Sequence, residues 1–103
     1  MINLSKVAEQ LSQNASSWAS EQIGNFNGSQ VSVRVMRQAI TDWHLHPDTD
    51  EMFVVFSGSV TIETENGEFP LAQNDCFIVK AGTLHRAKTD ETAMLMTLIS
   101  KSS

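Results

Sequence analysis

The chain has 103 residues, 41% of them hydrophobic and 18% charged, with a formal net charge of −5 at pH 7, enough for one compact domain without disulfide staples. An acidic chain with no basic run repels a phosphate backbone, and no apolar stretch approaches the roughly 20 residues of a membrane span, so nucleic acid and membrane are excluded as partners. The N-terminus lacks the basic-then-apolar layout of a signal peptide and the single cysteine has no internal partner, so a cytoplasmic protein is expected, with Cys76 as a small buried core residue.

Leu4, Val7, Ala8 and Leu11 recur at i, i+3, i+4 and i+7, which predicts a short helix. Ser12 to Ser29 is polar and contains Gly24 and Gly28; it is expected to be an arm that Trp18, Ile23 and Phe26 pin to the rest. Residues 1–29 are thus read as helix and arm, and 30–103 as a β-barrel within the same structural domain. From Val31 the period falls to two: Val31, Val33 and Val35 alternate with Ser32, Arg34 and Met36, and Val60 and Ile62 alternate with Thr61 and Glu63. Asn66-Gly67 predicts a hairpin with those two residues at its centre, because both tolerate positive φ. Asn74-Asp75 turns the chain into Cys76–Val79, and Thr89-Asp90-Glu91 is expected to turn it again into Ala93–Ile99. Short strands at regular spacing with one helix predict an all-β sandwich or barrel.

Chemistry concentrates in His44-x-His46-x4-Glu51 and in His85. Imidazole nitrogens and a carboxylate oxygen are the donors that borderline divalent metals accept. In a strand, residues two apart share a face roughly 7 Å apart, so His44 and His46 are expected to lean onto one ion. Pro47-Asp48-Thr49-Asp50 reads as a turn that brings Glu51 back beside them, at the head of the apolar run Met52–Phe56. His85 follows the break Lys80–Leu84 and has to arrive through a long-range contact. Iron, manganese, nickel, zinc and copper all suit this set, and an ion that prefers six ligands would keep two positions open. No Ser/His/Asp set is visible.

At these residues the chain resembles the cupin family. His44-Leu45-His46-Pro47-Asp48-Thr49-Asp50-Glu51, with six residues to Gly58, fits the family's first motif from its histidine pair onward. Gly82-Thr83-Leu84-His85, preceded by Asp75, fits the core of the second. Where the family usually has glycine, glycine, proline and asparagine, this chain has Gln38, Asn74, Lys80 and Thr89; none of these is a ligand position, and asparagine tolerates the left-handed conformation of a turn glycine. The resemblance implies a double-stranded β-helix, or jelly-roll barrel, with a small-molecule ligand such as a sugar or organic acid at its mouth. It also implies either a metal-dependent enzyme of the dioxygenase, sugar or keto-acid isomerase or decarboxylase type, or a non-catalytic binding or sensing module.

Two further expectations concern faces. An inward Glu51 puts Phe53 and Val55 inward, and Met36 and Met96 are candidates for the same pocket. Arg34 is the polar pocket candidate, since an inward guanidinium near a cation is costly unless it holds an anion; the alternative is an exposed strand arginine. Trp43, next to His44, is expected to point away from the ion. Met52–Phe56, Phe77–Val79 and Met94–Met96 are apolar on both faces, so their outer side needs a cover. A second copy in a homodimer is the expected cover, with the N-terminal arm as the alternative.

Overall fold

The computed structural model describes residues 1–14 and 17–100. Ala15 and Ser16 of the expected arm lie outside the described residues, as do residues 101–103. The described chain forms one helix, α1 (Leu4–Asn14), and seven strands: β1 (Trp18–Phe26), β2 (Ser29–Ile40), β3 (Glu51–Gly58), β4 (Val60–Thr64), β5 (Gly67–Leu71), β6 (Cys76–Val79) and β7 (His85–Ser100). Every pairing is antiparallel, in the order β1-β2-β7-β3-β6, with β4 on β7 and β5 on β4. This is the all-β jelly roll that the motifs imply. Among the described residues no helix is long and apolar enough to cross a membrane.

The long strand β7 is the seam. Its first residues, His85–Lys88, pair with β4, while Ala93–Ser100 lie between β2 and β3. The expected turn at Thr89-Asp90-Glu91 is instead an irregularity within this strand: Arg37 pairs with Thr92 and Ala39 with Thr89, so Asp90 and Glu91 oppose Gln38 alone. An unequal count of this kind bends both strands without ending them, which carries β7 from one wall of the barrel to the other. The Thr89 hydroxyl donates to the Ser59 carbonyl and accepts from the Glu91 N–H, holding the bend at its buried side.

Parity divides the residues into two clusters. Met36, Phe53, Val55, Val60, Ile62, Leu71, Val79, Ala87, Ala93 and Leu95 fill the barrel. On the outer side, Ala8 of α1 is packed with Val33 and Val35, flanked by Leu4, Val7, Leu11, Ile23, Phe56 and Met94. The helix is therefore the cover for part of the outer face. Asn3 begins it by accepting the Lys6 N–H on its side chain at 3.0 Å, a capping contact.

Four local expectations are corrected. Residues 18–26, expected in a polar arm, form the edge strand β1; most of its residues are exposed, so no apolar alternation marks it. Of the three expected pins only Ile23 joins a core cluster, while Trp18 and Phe26 are exposed. The β4–β5 hairpin turns on Glu65-Asn66, one residue earlier than expected, with Thr64 paired to Gly67 and the Thr64 hydroxyl accepting the Asn66 N–H. Cys76 is exposed rather than buried, because it pairs with Val54 on the outer face of an edge strand.

Candidate metal centre

The four candidate ligands reach one place by different routes. Glu51 opens β3 and His85 opens β7, so both are anchored by sheet hydrogen bonding. His44 and His46 lie in the irregular segment 41–50 rather than in a regular strand, which corrects the expectation of a strand pair. Only His44 is bridged: its N–H donates to the His85 carbonyl at 3.0 Å and its carbonyl accepts the His85 N–H at 2.8 Å. The His46 carbonyl accepts the Gly82 N–H at 2.9 Å. Asp50 completes the tie by accepting the Ala81 N–H at 2.9 Å and the Lys80 ammonium at 3.0 Å. The loop before Glu51 and the loop before His85 are thus clamped to each other.

The donor atoms of His44, His46, Glu51 and His85 all lie within 4.8 Å of one another. Trans ligands about 2.1 Å from a shared ion sit ~4.2 Å apart, so the quartet must draw together by about 0.6 Å or more at its widest pair to share an ion. His46 Nε2 and His85 Nε2 approach Glu51 Oε1 at 3.3 and 3.2 Å. The other ring nitrogens explain the aim. His44 Nδ1 lies 2.8 Å from the Asp42 carbonyl and His85 Nδ1 lies 2.8 Å from the Thr83 carbonyl. A carbonyl only accepts, so each Nδ1 carries the proton and each Nε2 is the ring nitrogen left to face a cation, the outer-shell arrangement of metal-ligating histidines. The donor set and its tautomers fit a divalent ion.

The electrostatics agree. Burial opposes ionisation of Glu51, yet the His85 hydrogen bond and the Arg34 and imidazole charges hold its carboxyl below the usual glutamate range. Burial also opposes protonation of His85, but Glu51 and the Thr83 carbonyl outweigh it and raise this imidazole. His46 is pushed down, chiefly by burial.

Around the quartet the structure sorts the other candidates. Phe53 is buried, its ring 6.2 Å from that of His85, and Met36 is buried in the same cluster. Arg34 lies on the inner face, paired across β7 with Leu95 of the core. Its Nε is buried without a hydrogen-bond partner, and its guanidinium lies 5.3 Å from the Trp18 ring centroid. Met96 is a correction: it pairs with Val33 and Val54, so alternation turns it to the outer face, away from the quartet. Trp43 points away from the quartet and lies against Arg86, which is paired with Glu63. The sequence reading overlooked the Asp50 clamp, although an acidic residue beside a ligand and a Lys-Ala-Gly break before the next ligand were both visible.

Comparison with known proteins agrees with the fold. The model of the cupin domain matches residues 31–100, and the chain belongs to the cupin family. An uncharacterized protein of Bacillus subtilis, YdbB, is 36% identical over 74 residues, 67% of this chain and 66% of that protein. The chain therefore spans just under two thirds of that relative's length. A cupin-2 domain containing protein from Shewanella frigidimarina superposes with a TM-score of 0.81 at 24% identity, over 94% of this chain and 91% of that one. A sugar phosphate isomerase of the cupin superfamily from Silicibacter pomeroyi superposes with a TM-score of 0.71 at 20% identity, over 82% of this chain and 60% of that one.

Proposed function

We propose that this cupin holds one divalent iron, manganese, nickel, zinc or copper ion through His44, His46, Glu51 and His85. We further propose that it is an enzyme acting on a small oxygenated molecule, of the dioxygenase, sugar or keto-acid isomerase or decarboxylase type. The carrying observation is the convergence of four donor atoms with two imidazole tautomers set by backbone carbonyls. When bound, the ion supplies Lewis acidity at the positions that four protein ligands leave free. The remaining work falls to the chain: Phe53 and Met36 give the site an apolar wall, and Arg34 brings a positive charge to the inner face. The superposition on a sugar phosphate isomerase supports a sugar or organic acid as the ligand class.

A binding or sensing module is the second reading. One observation favours it: Phe53, Val55, Met36 and Arg34, which line the inner face, supply no general acid or base beyond the ligands. Calorimetric titration with manganese, nickel and zinc, followed by a turnover screen, separates the two. Metal affinity falls between pH 7.5 and pH 5, because a protonated imidazole cannot ligate and the raised His85 begins to compete early. Equal affinity at both pH values refutes histidine ligation, and tight metal and ligand binding without turnover selects the module.

A cytoplasmic homodimer is part of the same reading. Helix α1 covers Val33, Val35, Phe56 and Met94, but Met52, Val54, Met96 and Leu98 remain only half-buried and Ile78 is exposed on that face. A second copy would complete the cover. Light scattering at micromolar concentration then gives twice the 11.4 kDa chain mass, and a monomer contradicts it.

A further inference from the structure

Among the described residues, the charged side chain with a buried nitrogen that lacks a hydrogen-bond partner is Arg34. It projects from β2 into the barrel, on the face of Met36 and Leu95. The Glu51 charge acts on Arg34, but the close ion-pair contacts of Glu51 go to His46 and His85. The Arg34 Nε is buried without a hydrogen-bond partner, and its guanidinium lies 5.3 Å from the Trp18 ring centroid. A cation–π contact engages the charge but uses no N–H. A buried charged donor without an acceptor is unfavourable, and a second cation beside it would add repulsion.

Both liabilities vanish if an anion sits between the guanidinium and the quartet. The planar fork presents parallel N–H donors that match the two oxygens of a carboxylate or the face of a phosphate. Trp18 on edge strand β1 backs the fork, fixing its plane at modest entropic cost. A divalent ion on three neutral imidazoles and one carboxylate carries a net charge near +1, so the same anion is attracted from both sides.

Building on the metal-centre reading above, we infer that Arg34 is a specificity-determining residue: it selects a small organic anion, carboxylate or phosphate, whose neighbouring oxygen faces His44, His46, Glu51 and His85. Neutral sugars and alcohols are poor ligands for the site.

Calorimetry with glycolate, inorganic phosphate and neutral ethylene glycol, on metal-free and manganese-loaded protein, tests this without turnover. The loaded protein is expected to bind at least one anion and to ignore ethylene glycol, and the preferred anion distinguishes carboxylate from phosphate. Arg34→Gln keeps the manganese stoichiometry and weakens that anion at least tenfold, the scale of a charge-assisted hydrogen bond. Arg34→Lys retains charge without the fork and falls between. Anion affinity unchanged in Arg34→Gln, or ethylene glycol binding as well as glycolate, overturns the inference while leaving the metal reading intact. If manganese fails to bind but metal-free protein holds an anion that Arg34→Gln releases, the metal reading falls and the anion site stands.

Discussion

The two ends of β3 are built to opposite specifications. At Glu51 the strand emerges from an irregular segment whose job is to aim donor atoms, and its order comes from side chains reaching backbone: Asp50 on Ala81, His44 on Asp42, His85 on Thr83. At Gly58 no donor is aimed anywhere; the requirement is space. Gly58 has φ near +74°, and a Cβ there would lie 2.0 Å from the Thr92 carbonyl oxygen. One end of the barrel is specified by chemistry and tolerates irregular backbone. The other is specified by backbone contact and excludes a single methyl group.

Changes at the ligand end should weaken metal binding and spare the fold, and changes at the glycine end should lower the stability of the fold itself. His85→Ala is expected to weaken manganese or nickel more than ~100-fold, since even outer-shell partners of such ligands are worth 10–100-fold. Far-ultraviolet circular dichroism should stay that of the parent; loss of the fold would mean that the two ends are not separable. Gly58→Ala combines a left-handed backbone with overlap against Thr92, so a loss of about 3 kcal/mol or more is expected in urea unfolding. A near-neutral result would show that β3 and β7 part easily at this point.

Asp50→Asn probes the clamp between the two ligand loops. Hydrogen bonds from Ala81 and Lys80 hold the Asp50 carboxyl below the ordinary aspartate range. A depressed acid stabilises the fold above its unfolded pKa and loses that effect as pH falls through its folded value. The metal-free variant should therefore melt below the parent at neutral pH, and the gap should close on acidification. Metal affinity should drop about tenfold with all four ligands in place. The smallest effect is expected at Gln38, a non-glycine residue with φ of 44° opposite the irregularity in β7. Gln38→Gly relieves the left-handed strain and should stabilise by about 0.5–1 kcal/mol after the entropic cost of glycine in the unfolded chain.

Legibility followed the same division. The convergence of His44, His46, Glu51 and His85 was readable because the donor chemistry of a candidate metal site restricts residue type. Inward parity of Phe53 and Met36 followed from alternation once Glu51 was placed, and failed for Met96 because residues on β3 and β7 cannot be put in register from one strand alone. Strand β1 was hidden because an exposed edge strand needs no apolar stripe. The bend in β7 looked like a turn, since Thr, Asp and Glu in sequence have the same composition in either setting. The positive φ at Gln38 and Asn74 falls where the family usually has glycine, so backbone geometry outlasted the residue that normally supplies it.

X-ray absorption at the metal edge of manganese-loaded protein tests the central claim most directly. One ion per chain at saturating manganese, with imidazole scattering that fits three rings in the parent and two in His85→Ala, is the predicted result. An ion surrounded by oxygen alone, or a spectrum indifferent to His85, contradicts the shared site.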